Sequence, residues 1–125
     1  MKKKKILVDM SCSILHHGHV RLLRKASKFG KVIVALTTDK EIKKHKGFNP
    51  ELKFKFRKEI LQSIIYVEQV IPSKWKIKDK FLKKNNIDVL VRGSDYKKEK
   101  FSIKTIFFPR TKNISSSKLR KNKNR

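Results

Sequence analysis

Short apolar runs alternate with longer stretches of helical periodicity along this chain, which is the pattern of a parallel β-sheet with crossover helices. The apolar runs predict five strands, centred on residues 6–8, 32–36, 69–71, 88–91 and 106–108. Apolar side chains at near-helical spacing predict helices over 20–29, 56–65 and 77–82, a short helix and a loop within 39–50, and a last short helix over 115–120. Gly30 is expected to cap the first helix, and Pro72 to end the third strand.

Five strands joined by helical crossovers define an α/β fold, a Rossmann-like, doubly wound parallel five-stranded sheet in a single domain. A chain of 125 residues is long enough for one domain with its own core. We expect this domain to span residues 1–120 and a basic tail to follow over 121–125. Ligands of such sheets bind beyond the carboxyl ends of the strands, where the strand order reverses. The loops that follow the strands should therefore converge on one site.

The formal net charge of +25 attracts anions in general, including nucleotides, nucleic acid and acidic lipid. The lysines are scattered along the chain, so we expect no specific nucleic-acid partner. A single cysteine, Cys12, excludes an intramolecular disulfide and fits a reducing compartment. No apolar run reaches membrane-spanning length, so we expect a cytoplasmic protein without membrane insertion.

The sequence His16-His17-Gly18-His19 stands where the first strand hands over to the first helix. Backbone N–H groups and the positive end of a helix dipole favour phosphate at such a position. Gly18 lets the backbone approach the ligand, and the imidazoles of His16 and His19 can donate hydrogen bonds to phosphate oxygens. The pattern predicts a polyphosphate pocket; the alternatives are a metal site and a helix cap.

A second candidate anion site is the loop at residues 110–117, which reads RTKNISSS. The guanidinium of Arg110 offers a fixed fork of donors for phosphate oxygens. Serines that enter a helix add hydroxyl groups and N-terminal backbone amides to the same kind of ligand. The alternative for this loop is a serine-capped helix after an ordinary turn.

These two loops, together with RKEIL at 57–61, YV at 66–67 and VIP at 70–72, resemble the cytidylyltransferase family over about residues 3–119. The H-x-G-H element is shared by a wider nucleotidyltransferase superfamily, whereas R-T-x-G-I-S is more particular to cytidylyltransferases. The resemblance implies that a phosphoalcohol attacks the α-phosphorus of CTP and yields a CDP-alcohol and pyrophosphate. The implied acceptor resembles glycerol 3-phosphate, phosphoethanolamine or phosphocholine. The resemblance also implies a homodimer and Mg²⁺ held mainly by the nucleotide phosphates, with no metal ligand from the protein.

The resemblance assigns a role to each matching residue. The implied catalytic residues are His16, His19, Arg110 and Ser115. The implied nucleotide-binding residues are Ser11, Cys12, His16, His17, Gly18, His19, Lys46, Asp95, Arg110, Thr111, Asn113, Ile114, Ser115, Ser116 and Ser117. The acceptor phosphate is expected to meet Lys44, Arg57 and Lys78.

The chain departs from the family pattern at several positions. Residues 10–13 read Met-Ser-Cys-Ser where the family reads G-T-F-D, so Ser13 lacks the acid of that motif. Asn113 replaces a glycine, Ile65 a common arginine and Ser94 an acidic residue, while Asp95 remains. Two alternatives stay open. One is an adenylyltransferase of the same superfamily that uses ATP, since the sequence does not identify the base that is bound. The other is a degenerate, basic protein that binds nucleic acid, which the net charge of +25 and Ser13 favour.

Overall fold

The computed structural model describes residues 3–12, 14–93, 99–109 and 119. In chain order, these residues form β1 (Lys5–Met10), α1 (His17–Ser27), β2 (Lys31–Thr37), α2 (Asp39–Lys46), α3 (Phe54–Gln62), β3 (Val67–Ser73), α4 (Asp79–Lys84), β4 (Val89–Gly93) and β5 (Lys104–Phe108). The last helix predicted from the sequence lies, except for Leu119, outside the described residues. Within the described ranges, no helix is both long enough and apolar enough to cross a membrane.

The five strands form one all-parallel sheet with the order β3-β2-β1-β4-β5. Strand β1 pairs with β2 from Lys5 to Met10 and with β4 from Ile6 to Val8. The chain therefore winds outward first to one side of β1 and then to the other, and the strand order reverses between β1 and β4. This confirms the predicted single-domain, Rossmann-like sheet and places its ligand crevice at the carboxyl ends of β1 and β4.

Apolar side chains cover both faces of the sheet, which explains why the central strands read as continuous apolar runs. On the face covered by α1 and α3, the buried residues include Ile6, Val8, Val34, Leu23 and Leu61. On the face covered by α4, they include Leu7, Ile33, Leu90, Ile77 and Leu82. We call these the α1 face and the α4 face. Since side chains alternate along a strand, Asp9, Thr37 and Arg92 belong to the α4 face.

Strand β3 continues through Pro72 to Ser73, so the predicted stop at Pro72 is wrong. Pro72 lies opposite Leu36 in the register between β2 and β3. Because β3 is an edge strand among the described residues, no strand of that part of the chain bonds its outer side, and proline is tolerated there although it lacks an N–H.

Gly30 does not cap α1, because the helix ends at Ser27 and its cap is Lys28 in the ordinary right-handed conformation. A Cβ atom at Gly30 would lie 2.2 Å from the carbonyl oxygen of Lys4, so the close approach of two backbone segments requires glycine. The glycine that ends a helix is Gly47, which has φ +80° and donates its N–H to the carbonyl of Lys43 at 2.9 Å.

Candidate active site

Two histidines of the H-x-G-H element form the start of α1. His16 is the N-cap residue, and its Nδ1 atom accepts the backbone N–H of Gly18 at 3.1 Å. His19, three residues later, accepts the backbone N–H of His16 at its own Nδ1, also at 3.1 Å. This is a reciprocal capping box, a motif usually built from a hydroxyl residue and Glu or Gln. The two histidines therefore do cap the helix, as the helix-cap alternative predicts. The same hydrogen bonds fix the two rings that the phosphate-site prediction requires.

The capping box fixes the tautomer of both rings. Since each Nδ1 accepts a hydrogen bond, the proton of each neutral imidazole lies on Nε2. The two ring centroids are 3.9 Å apart, with an interplanar angle of 37°. Two imidazole N–H donors are therefore held side by side at the positive end of a helix, which suits the non-bridging oxygens of a polyphosphate.

The Nδ1 atoms face the backbone, so they cannot serve as metal ligands while the cap is intact. Within the described ranges, no group of three or more His, Cys, Asp or Glu side chains could hold a metal ion. His17, the variable residue of the motif, is exposed, and its ring lies 6.2 Å from that of His16.

Arg57 in α3 is fully buried, although the resemblance implies contact with the acceptor phosphate. Its Nε donates to the carbonyl of Leu52 at 2.9 Å, and its Nη1 donates to the carbonyls of Ser11 at 2.7 Å and Thr37 at 2.9 Å. Its Nη2 donates to Asp39 Oδ1 at 2.6 Å. Four hydrogen bonds to protein groups thus occupy most of its five N–H donors, which differs from the expected phosphate contact. Arg57 thus connects the residue after β1, the end of β2, the start of α2 and the loop before α3.

Cys12 contributes backbone to the β1–α1 loop, whereas its thiol lies in the core of the α1 face. The residue is 3% exposed, and its backbone adopts φ +35°, which is uncommon for a residue other than glycine. Burial raises the pKa of the thiol to about 12, against the opposing charge and hydrogen bond of Arg57. Cys12 is therefore a packed, neutral thiol, and its expected contact with the nucleotide is limited to its backbone.

The expected phosphate-binding lysines lie on two neighbouring segments. Lys44 and Lys46 are exposed on α2, and Lys78 is exposed immediately before α4. Trp75 links the two segments, because its ring stacks on that of His45 at 5.1 Å and lies 5.8 Å from the Lys46 Nζ atom.

The backbone N–H of Trp75 also donates to the carboxylate of Glu41 at 3.0 Å, and this bond is the main cause that lowers the pKa of Glu41. The segment before α4 is thereby attached to α2 by both a ring stack and a hydrogen bond.

Several expected site residues lie outside the described part of the chain. They are Asp95, Arg110, Thr111, Asn113, Ile114, Ser115, Ser116 and Ser117. Ser13 and Ser94, two of the departures from the family pattern, also lie outside it. The second half of the expected phosphate clamp therefore stays a prediction from the sequence.

The structure has a cleft where the strand order reverses, as predicted, but the sequence interpretation missed most of its lining. The lining comes from the end of β1 and the residue after it (Met10 and Ser11), from the end of β2 (Thr37), from the β3–α4 loop (Trp75 and Lys76), and from the ion-paired residues Asp9, Arg92 and Glu99. We call it the switch-point cleft, because it lies where the strand order reverses. The signal in the sequence was a charged residue inside each of two apolar runs, Asp9 in ILVDM and Arg92 in VLVRG.

Doubly wound sheets bind nucleotides in this crevice, and the start of the helix that follows the first strand is a common phosphate site. A family model described as cytidylyltransferase-like matches residues 11–122, and the chain belongs to this family of nucleotidyltransferase enzymes.

Two relatives match along nearly their whole length. The chain is 35% identical to a glycerol-3-phosphate cytidylyltransferase of Bacillus subtilis, over 94% of this chain and 95% of the relative. It is 37% identical to a glycerol-3-phosphate cytidylyltransferase of Staphylococcus aureus, over 94% of this chain and 92% of the relative. A crystal structure of the lipopolysaccharide core biosynthesis protein from Thermoplasma volcanium superposes with a TM-score of 0.74 at 18% identity, covering 86% of this chain and 98% of that one. That likeness shows the fold.

Proposed function

We propose that this protein transfers CMP from CTP to glycerol 3-phosphate and forms CDP-glycerol and pyrophosphate. The observation that carries the proposal is the capping box, which bonds the Nδ1 atoms of His16 and His19 to the backbone and holds the two rings 3.9 Å apart at the start of α1. The choice of CTP and of a phosphoalcohol rests on the family and on relatives that match this chain over nearly their full length.

The proposed transfer of CMP requires that the substrates be aligned and that charge be stabilised in the transition state, but it requires no nucleophile from the protein. The acceptor phosphate is itself an anionic nucleophile, so it can attack the α-phosphorus of CTP directly and displace pyrophosphate. Negative charge is then spread over the oxygens of a pentacoordinate phosphorus. Fixed N–H donors stabilise that charge best because they need no reorientation during the reaction. The imidazoles of His16 and His19, held by backbone hydrogen bonds, meet this requirement.

The acceptor phosphate is assigned to the exposed lysines on either side of Trp75. Lys44 and Lys78 supply the charge, and Lys46 supports the nucleotide phosphates. Arg57 acts indirectly, since it fixes the carbonyl groups of Ser11 and Thr37 at the edge of the crevice. Arg110, Thr111 and Ser115–Ser117 complete the nucleotide site in this proposal.

Mg²⁺ enters the proposal as part of the Mg–CTP substrate. The nucleotide phosphates are its main ligands in this proposal, as the family resemblance implies. When bound, the ion neutralises phosphate charge.

The protein is further proposed to work in the cytoplasm as a homodimer. Phe29, Phe56, Ile60 and Ile65 are large apolar side chains that are 41–90% exposed, and burial of such groups favours association.

The test is a pyrophosphate-release assay with CTP or ATP against glycerol 3-phosphate, phosphoethanolamine and phosphocholine, with the CDP-alcohol identified by mass. We expect turnover with CTP and glycerol 3-phosphate. Turnover with ATP alone would identify an adenylyltransferase instead. If neither nucleotide is consumed and binding to duplex DNA weakens steeply with salt, the protein is a basic nucleic-acid-binding protein.

A further inference from the structure

A buried ion pair joins the two strands at the point where the strand order reverses. Asp9 and Arg92 each lie one residue beyond Val8 and Val91, the last paired positions of β1 and β4. Arg92 Nε donates to Asp9 Oδ1 at 3.1 Å, and Arg92 Nη2 donates to Asp9 Oδ2 at 2.9 Å. The guanidinium thus binds the carboxylate in a bidentate manner, and this geometry fixes the orientation of the carboxylate.

The side chains of this ion pair and of Glu99 differ in how far they are exposed at the switch-point cleft. The side chain of Arg92 is 4% exposed, that of Asp9 is 16% exposed, and that of Glu99, which accepts from Arg92 Nη1, is 46% exposed. A ligand in the cleft therefore meets the carboxylates first, with the guanidinium behind them.

The charges that line the cleft cancel, which sets it apart from the rest of the chain. Asp9 and Glu99 carry two negative charges, and Arg92 and Lys76 carry two positive charges, so the local sum is zero, whereas the whole chain has a net charge of +25. A neutral polar group suits this lining better than a second phosphate or an ammonium group.

Hydroxyl groups match the polar atoms that remain at the cleft. Each oxygen of an ionised carboxylate has two acceptor positions, so Asp9 can accept from a ligand hydroxyl while it stays bonded to Arg92. Thr37 lines the cleft, and Ser73 lies opposite it in the register of β2 and β3 on the same face of the sheet. Ser73 is 6% exposed, and its hydroxyl has no hydrogen-bond partner among the described residues, which marks a polar group still to be satisfied at this edge.

We propose that Asp9 accepts hydrogen bonds from the hydroxyl groups of the acceptor, and that Arg92 is the positioning residue that orients Asp9. This inference rests on the proposed function and extends it, because it assigns the organic part of the acceptor to the cleft that Trp75 shares with the phosphate-binding lysines.

The test compares two acceptors at saturating CTP: glycerol 3-phosphate and the propanediol phosphate that lacks its terminal hydroxyl group. Because a hydrogen bond to a charged group contributes substantial binding free energy, kcat/KM of the wild-type protein should be roughly 10- to 100-fold higher for glycerol 3-phosphate than for the deoxy acceptor. Asp9→Asn should abolish most of this preference and raise KM for glycerol 3-phosphate about tenfold, with KM for CTP changed less than about twofold. Asp88→Asn is the matched control, because Asp88 also bridges two chain segments but lies at the amino end of the sheet, where its carboxylate accepts the N–H of Lys5 at 2.8 Å.

Arg92→Lys tests the positioning role separately. Lysine keeps the positive charge but loses the fork, so the preference for glycerol 3-phosphate should fall while the reaction with the deoxy acceptor is kept. If Asp9→Asn does not fold, the double variant Asp9→Asn with Arg92→Met removes the unpaired charge and should show the same loss of preference. If the ion pair is purely structural, these substitutions should lower the melting temperature and leave the ratio of kcat/KM between the two acceptors unchanged.

The outcomes separate this inference from the proposed function. A wild-type protein that turns over none of the acceptors rejects both. An active wild-type protein whose Asp9→Asn variant keeps the full preference for glycerol 3-phosphate rejects the role of Asp9 alone. A wild-type preference for phosphoethanolamine or phosphocholine over glycerol 3-phosphate also overturns the assignment, because the cleft would then accept a cation.

Discussion

The Nδ1 atom of His19 accepts the backbone N–H of His16 at 3.1 Å, so the side chain that is expected to hold the triphosphate also closes the first turn of α1. In the proposed function, one imidazole serves two purposes through its two nitrogen atoms. Nδ1 stabilises the helix start, and the proton on Nε2 is the one that a phosphate oxygen would accept.

His19→Ala should reduce turnover by about 100-fold or more, since it removes a preorganised donor from the transition state. The loss of one cap contact should also cost about 1 kcal/mol in the free energy of unfolding. Steady-state pyrophosphate release and urea denaturation measure the two effects. Near wild-type turnover would remove His19 from the catalytic site.

His19→Glu is the matched variant that separates the two purposes of this residue. Glutamate at the third helical position is a usual partner in a capping box, so the variant should keep the stability of the wild type within about 0.5 kcal/mol. It offers no N–H and adds a negative charge beside the triphosphate, so its turnover should be at least as low as that of His19→Ala. An active His19→Glu protein would show that the imidazole serves only as a cap.

Arg57→Lys should lower the free energy of unfolding by about 3 kcal/mol, because lysine cannot replace the fork that bonds Ser11, Thr37 and Asp39. Lys55→Gln, at an exposed position of the same helix, is the control and should change it by less than about 0.5 kcal/mol. Chemical denaturation measures both. An Arg57→Lys protein with wild-type stability and a raised KM for the acceptor would favour the direct phosphate contact that the family resemblance implies.

Gly30→Ala should be more destabilising than Gly47→Ala, although both glycines have positive φ angles. The new methyl group at residue 30 would meet the Lys4 carbonyl, and such overpacking costs about 2–3 kcal/mol. At residue 47 no atom lies within 4 Å of the new methyl group, so only the left-handed conformation is strained, at a cost of about 1 kcal/mol. Thermal unfolding of the two variants gives the order, and equal melting temperatures would contradict the predicted contact.

Cys12 should resist alkylation in the folded protein. With a pKa of about 12, only about one thiol in ten thousand is ionised at pH 8, and burial blocks access to it as well. The unfolded chain has an ordinary, exposed thiol, so labelling should follow the urea unfolding curve. Fast labelling without denaturant would place Cys12 at the surface of the site.

The periodicity of the sequence was sufficient for the sheet, because parallel strands buried on both faces leave unmistakable apolar runs such as 32–36. It was insufficient for Gly30 and Pro72, whose reasons lie in tertiary structure: a carbonyl 2.2 Å from a would-be Cβ, and a position on an edge strand. Neither the identity of the neighbouring segment nor the order of the strands is encoded near those residues.

The candidate site was predictable where a local motif carries it and unpredictable where distant residues meet. The H-x-G-H element indicated its own strand-to-helix turn. The partner of Asp9, in contrast, is 83 positions away in sequence, and only the reversal of strand order brings it alongside. Arg57 carried a similar ambiguity, since its partners are mainly backbone carbonyls, which leave no mark in the sequence.

Pro72 has a consequence for how copies of this chain can assemble. A proline on an open edge withholds a donor that a neighbouring sheet would need to add a sixth strand, which is one way that natural proteins avoid sheet-to-sheet aggregation. The carboxyl half of β3 is therefore poorly suited to pair with a strand of a second subunit and form a continuous sheet. A homodimer should therefore not extend the sheet through the carboxyl half of β3.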